Sequence, residues 1–171
     1  MLKYLYVKEV FKEVPSEISL GISISGCRIR CRGCHSRELW EDRGVPLTTI
    51  ELDRLLSVHE GITCVLFLGG EHDIDILTSL CTRVKKAHPN LLTAWYCGLD
   101  KVPENKKEIY LYLDWIKLGH YDSKLGGLDS PTTNQRLYRV LHRVIHNEYS
   151  WNTIDVTKSL RKHNQNQITT N

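Results

Sequence analysis

The segment ITCVLFLGG (residues 62–70) is an almost unbroken apolar run closed by two glycines. A strand with apolar side chains on both faces has to be covered on both, and interior strands of parallel sheets meet that demand. Parallel strands need crossover connections, and the flanking sequence supplies two helical ones. In PLTTIELDRLLSVHEG (residues 46–61), Thr48 and Glu51 stand at capping-box spacing, and Ile50, Leu52, Leu55 and Leu56 make an apolar face before Gly61 gives a stop. From Asp73 to Ala87, Leu77, Leu80, Cys81 and Val84 recur at helical spacing. Arg83, Lys85 and Lys86 lie near the end, where the helix dipole favours cations, and Pro89 follows.

Three more strand-like segments complete the pattern: EISLGISIS (residues 17–25), LLTAWYCG (residues 91–98) and YLDWIKLG (residues 112–119). The order strand, helix, strand, helix, strand, connector, strand predicts an α/β fold with a mostly parallel sheet. A closed eightfold barrel takes about 250 residues, so a chain of 171 residues is expected to form an open, partial (β/α) barrel. One domain is expected over residues 1–150, with a short N-terminal arm. Residues 151–171, ending in KHNQNQITTN, read as a polar tail or short helix.

Composition excludes more than it specifies. A formal charge of +3 does not ask for nucleic acid, and no apolar run approaches the roughly 20 residues of a membrane helix. The amino terminus MLKYLYVKEVFKEV mixes charges with apolar residues and has no signal-peptide pattern, so a cytoplasmic protein is expected. In that compartment thiols stay reduced, and clustered cysteines point to metal or catalysis before disulfides.

Cys27, Cys31 and Cys34 lie in GCRIRCRGCHSRELW (residues 26–40), directly after a predicted strand, at C-x3-C-x2-C spacing. Several inorganic centres use three such thiolates. Structural zinc wants a fourth ligand, and His35, next to Cys34, is badly placed to reach the same ion. CRGCH also matches the haem-attachment signature, but that chemistry belongs with exported proteins, and the sole methionine, Met1, is no convincing axial ligand. A [4Fe–4S] cube normally takes four cysteines, so a three-cysteine loop would leave one iron open to a ligand. Cys64, Cys81 and Cys97 lack metal spacing and read as small core residues.

The C-x3-C-x2-C loop resembles that of the radical S-adenosylmethionine superfamily. Read with FLGGEHD (residues 67–73), WYCG (residues 95–98), DWIKLG (residues 114–119) and GGLDSPTTNQR (residues 126–136), the chain resembles the activating proteins of anaerobic ribonucleoside-triphosphate reductase. The resemblance spans about residues 19–140. It implies a radical S-adenosylmethionine type of partial barrel, a [4Fe–4S] cluster on Cys27, Cys31 and Cys34, and S-adenosyl-L-methionine chelated to the open iron.

The same resemblance implies that Gly69 and Gly70 let the backbone approach that cofactor, that Glu71 holds its amino group, and that Gly33, Cys34 and His35 line the adenine side. No catalytic residue is implied beyond cluster and cofactor. His72 stands where family members often carry proline, and Cys97 replaces a frequent Ser or Thr. Arg28, Arg30, Arg32 and Arg37 offset the cluster's charge, meet an acidic partner or are plain solvated charges. Asn134, Gln135 and Arg136 close the site, meet the partner or form a polar turn.

The implied substrate is the catalytic subunit of anaerobic ribonucleoside-triphosphate reductase, on which a glycine loses its α-hydrogen to leave a glycyl radical. An electron donor such as flavodoxin or ferredoxin is implied, with no nucleic acid and no membrane. The alternatives are an activase of another glycyl-radical enzyme, a small radical enzyme acting on a free metabolite, and a non-catalytic iron–sulfur electron-transfer module.

Overall fold

The fold is taken from a computed structural model, which describes residues 1–145 and 148–159. Its strands are β1 (Lys3–Val10), β2 (Ser19–Ile24), β3 (Val45–Pro46), β4 (Cys64–Leu68), β5 (Leu92–Tyr96), β6 (Trp115–Leu118), β7 (Arg136–Ile145) and β8 (Glu148–Asp155). They form one sheet in the order β3-β1-β2-β4-β5-β6-β7-β8.

The expected mostly parallel, open (β/α) barrel is not what forms. Only the middle pairs, β2 with β4, β4 with β5 and β5 with β6, are parallel. The pairings β1–β2, β1–β3, β6–β7 and β7–β8 are antiparallel, so the sheet is mixed and antiparallel pairs predominate. The physical reason lies in the connections. A parallel neighbour requires a covering crossover, and the described residues provide two α-helices, α1 (Thr49–Val58) and α2 (Ile74–Ala87). The link from β5 to β6 is a run of 3-10 turns over Glu104–Tyr112 instead. Both flanks of the sheet are built by strands that fold back without a helix. Residues 151–155, assigned to the tail on sequence, are the second half of β8, and KHNQNQITTN lies outside the described residues.

The central elements form for the reasons their sequences give. Thr48 caps α1 by accepting the Glu51 N–H at 3.1 Å, and Asp73 caps α2 by accepting that of Ile76 at 3.3 Å. Leu52, Leu55, Leu56, Leu77, Leu80, Cys81 and Val84 bury the helical faces against Ile22, Val65, Phe67 and Trp95 of the sheet. The opposite face of the sheet carries a smaller cluster of Val14, Cys64, Leu66, Ala94, Trp115 and Leu137. This two-sided coverage is what the run ITCVLFL requires.

A buried ion pair ties α2 to the sheet. Asp114 accepts from Lys85 Nζ, from the Thr93 N–H at 2.8 Å and from the Thr93 hydroxyl at 3.4 Å. Lys85→Met would leave the Asp114 carboxylate buried without its cation. We expect a loss of about 3 kcal/mol in a urea melt, the low end for a broken buried pair, since Lys85 keeps 24% of its side chain in water. A loss under about 1 kcal/mol would show the pair to be screened like a surface one.

Candidate metal centre

The parallel core brings the chemically suggestive segments to one edge. Ser23 of β2, Leu68 of β4, Tyr96 of β5 and Lys117 of β6 are aligned across the sheet. The residues that follow them are the cysteine loop, Gly69-Gly70-Glu71, Cys97-Gly98 and Leu118-Gly119. Carboxyl ends of parallel strands are where α/β sheets hold ligands.

The cysteine loop leaves β2 at Gly26, whose φ of 78° suits glycine and whose N–H donates to the Glu41 carbonyl at 3.1 Å. The Cys27 N–H donates to the Leu39 carbonyl at 2.9 Å, so the 3-10 turn Arg37–Trp40 closes the loop from behind. The Cys34 N–H donates to the Cys31 carbonyl at 3.1 Å, and the Cys34 Sγ accepts the Ser36 N–H at 3.4 Å. Cys27, Cys31 and Cys34 are free thiols, each half-buried. They share one loop, although among the described residues no three His, Cys, Asp or Glu side chains converge on a single ion-sized point.

Burial, followed by the Glu71 carboxylate, pushes the Cys27 thiol above its ordinary pKa, while backbone hydrogen bonds at Ile29 and Arg30 act the other way. Metal binding takes the thiolate, so an incoming iron has to displace that proton. Cys64, Cys81 and Cys97 are fully buried; burial pushes Cys64 up to about 12 and the other two higher. These three are inert packing residues at neutral pH.

Gly33 sits at φ 74°, and a Cβ there would lie 2.5 Å from the Ser123 Cβ. The Ser123 N–H also donates to the Arg32 carbonyl at 3.3 Å. The loop after β6 is therefore docked directly on the cysteine loop. Gly33→Ala should push the two apart, and we expect the variant to retain less than about half of the wild-type iron after gel filtration, since both the backbone and the contact resist a side chain. Wild-type retention would show the docking to be irrelevant to metal binding. His35 lies on this same side: it is exposed, with its ring 5.1 Å from that of Tyr121 and its Nε2 3.5 Å from the Tyr121 hydroxyl.

Gly69 and Gly70 both have φ 92°, so two left-handed residues in succession turn the chain sharply off β4. A Cβ on Gly69 would meet the Ile24 carbonyl at 3.2 Å, and the Trp95 Nε1 donates to the Gly69 carbonyl at 2.8 Å. The turn delivers Glu71, whose Oε1 accepts the Gly98 N–H at 2.5 Å. Glu71 Oε2 is buried and has no hydrogen-bond partner among the described residues. A buried carboxylate oxygen without a donor is costly and asks for one. Gly98 is itself wedged between Glu71 and the loop, since a Cβ there would lie 3.2 Å from Glu71 Oε1 and 3.0 Å from Ile29 Cγ1.

The structure thus brings Cys27, Ile29, Gly69, Gly70, Glu71 and Gly98 into one neighbourhood, and places Gly33 and His35 on the flank facing residues 121–123. Asn134 donates to the His120 carbonyl at 2.9 Å, Gln135 donates to the Gly119 carbonyl at 3.3 Å, and Arg136 bonds the Thr133 and Gln135 carbonyls at 2.8 Å. These residues brace the loop after β6. Arg28, Arg30, Arg32 and Arg37 are exposed, and the guanidinium groups of Arg30 and Arg37 lie 5.9 Å and 5.7 Å from the Trp40 ring. Trp95 and Gly98 lie in WYCG and Lys117 in DWIKLG, two of the segments that carry the family resemblance, but the sequence assigns them no individual role. Ser123 carries no sequence signal.

Among the described residues, no helix is long and apolar enough to cross a membrane. No curated protein and no solved structure matches the chain. A family model described as a 4Fe-4S single cluster domain matches residues 18–141. That stretch runs from the start of β2 into β7 and takes in the whole strand edge just described. Three half-buried thiols in one glycine-turned loop are a donor set that suits iron and sulfide. The chain belongs to the 4Fe-4S single cluster domain family and is an iron–sulfur protein.

Proposed function

We propose that the protein is a radical S-adenosylmethionine enzyme that activates anaerobic ribonucleoside-triphosphate reductase by making a glycyl radical on its catalytic subunit. Cys27, Cys31 and Cys34 would hold the [4Fe–4S] cube, and three protein ligands would leave it a position for S-adenosyl-L-methionine. The chemistry such a centre supplies when loaded is one-electron reduction of the cofactor's sulfonium, which breaks a C–S bond and delivers the oxidising fragment to a glycine α-carbon.

The observation that carries this reading is Glu71. Its Oε1 is fixed by the Gly98 N–H, while its buried Oε2 has no partner among the described residues, on the strand edge that also presents the cysteine loop. An ammonium group is the donor such an oxygen would take, and the methionine part of the cofactor has one. Gly69 and Gly70 serve by taking the two left-handed conformations, packed against Ile24, that aim Glu71 at the site. Gly33 keeps the cysteine loop close to Ser123 on the flank assigned to adenine, and His35 extends that flank toward Tyr121.

A half-exposed cysteine loop suits a macromolecular substrate, which must bring its glycine to the site. The exposed Arg28, Arg30, Arg32 and Arg37 suit docking of acidic surfaces, either the reductase or a small electron donor such as flavodoxin or ferredoxin. The second reading, a non-catalytic electron-transfer module, draws on the family match, which asks for a cluster and nothing more.

The deciding experiment reconstitutes the cluster without oxygen, adds dithionite and S-adenosylmethionine, and assays 5′-deoxyadenosine with and without the reductase. We expect cleavage, coupled to a glycyl radical signal when the reductase is present. A fully loaded protein that cleaves nothing would favour the electron-transfer module.

A further inference from the structure

Among the described residues, Asp114 and Lys117 are the charged side chains that are buried, and Asp114 has Lys85 as its partner. Lys117 has no carboxylate at ion-pair distance among those residues. Its ammonium donates to the Gly119 carbonyl at 3.1 Å and lies 5.8 Å from the Tyr96 ring. That leaves hydrogen-bonding capacity unused and a buried cation without an anion, an arrangement that costs stability unless a counter-charge arrives.

The position of Lys117 says where that charge comes from. It is the residue of β6 aligned with Tyr96, and its carbonyl accepts the Cys97 N–H at 2.8 Å. The next residue, Gly98, is in contact with both Glu71 and Ile29 of the cysteine loop. Burial holds the Lys117 ammonium below its ordinary pKa, and the groups placed to oppose this when they are ionised are Cys97, Glu71, Cys31 and Cys27. Two of these four belong to the C-x3-C-x2-C loop.

We propose that Lys117 is the internal counter-charge of the cluster, a positioning residue whose buried ammonium offsets the thiolates of Cys27 and Cys31 and favours the reduced cube. The inference rests on the reading that Cys27, Cys31 and Cys34 are the cluster's ligands. A cube held by three thiolates is an anion when oxidised, and each electron it takes up adds another negative charge. A cation in a poorly hydrated position stabilises the more negative state and raises the reduction potential. The arginines of the loop contribute less, because they are exposed and screened by solvent and salt.

The test uses full-length wild type, Lys117→Met, Lys117→Gln and Lys117→Arg, each reconstituted without oxygen and with no sulfonium compound present. Iron and sulfide are counted, and the midpoint potential is read by mediated dithionite titration, following the electron paramagnetic resonance of the reduced cube. In both neutral variants the midpoint should move to more negative potential, with the ratio of reduced to oxidised cube falling about tenfold at the wild-type midpoint. Lys117→Arg should stay near wild type. Loss of iron in both neutral variants, with native circular dichroism and iron retained in Lys117→Arg, would support the same counter-charge acting in assembly.

An unchanged midpoint in the neutral variants, or an equal shift in Lys117→Arg, would overturn the proposal. So would loss of native circular dichroism together with iron in both neutral variants, which would make Lys117 a structural prop for Gly119. A wild type that takes up no cube would instead remove the ligand reading on which the inference rests.

Discussion

Anaerobic reconstitution of Cys31→Ala is expected to yield protein with almost no cube, whereas Cys81→Ala should take up as much iron and sulfide as the wild type. The contrast follows from placement. Cys31 lies half-buried in the loop between β2 and the 3-10 turn Arg37–Trp40, where its carbonyl also accepts the Cys34 N–H at 3.1 Å. Without its thiolate the loop offers two ligands, too few to hold a cube against exchange with solvent. Cys81 is fully buried on the inner face of α2, beside Leu77, Leu80 and Val84. Its truncation leaves a small void costing on the order of 1 kcal/mol, which lowers stability without touching the loop. Equal loss of iron in both variants would overturn this division of the cysteines.

Glu71→Gln should weaken S-adenosylmethionine binding about 10- to 100-fold while leaving the cube in place, the range for one hydrogen bond to a charged group. Glutamine preserves an oxygen to accept the Gly98 N–H, so the turn after β4 survives. It replaces the unpartnered Oε2 with an NH2 group, which has no lone pair for an ammonium and removes the negative charge. Anaerobic isothermal titration of reconstituted protein measures the change. Wild-type affinity in a loaded Glu71→Gln protein would show that the orphaned oxygen serves something other than the cofactor's amino group.

How much was legible in the sequence depends on which force shapes each element. The helices α1 and α2 were readable because Thr48, and Asp73 at the start of its segment, mark their beginnings and leucines recur on one face of each. β4 was readable because both its faces are buried, which makes CVLFL continuous. The flanking strands were not. β7 reads RLYRVLHRVI and β8 reads EYSWNTID, with charged and polar residues throughout, because they lie at the side of the sheet, where water takes one face or one edge. Overlooking them turned a mixed sheet into an expected parallel barrel.

The site divides in a similar way. Cys27, Cys31 and Cys34 could be named because their spacing and residue type carry chemistry by themselves, whereas Gly69, Gly70 and Glu71, an ordinary turn when taken alone, were implied only by the resemblance of FLGGEHD. Ser123 could not, since its part is played by pressing on Gly33 from a loop 90 residues later in the chain, a contact only the folded protein creates. Lys117 was hidden for a different reason. A lysine in a strand ordinarily reads as solvent-facing, and only the alignment of β6 with β5 shows that this one is buried at the ligand edge.

Everything proposed for this protein depends on an iron that no side chain of the protein ligates. Electron–nuclear double resonance of the reduced protein tests it directly, using S-adenosylmethionine isotopically labelled in its amino nitrogen and carboxylate. Hyperfine coupling from the cube to both labels is expected. A cube that shows no coupling to either label and has a fourth cysteine ligand, or protein that binds only zinc, would contradict it.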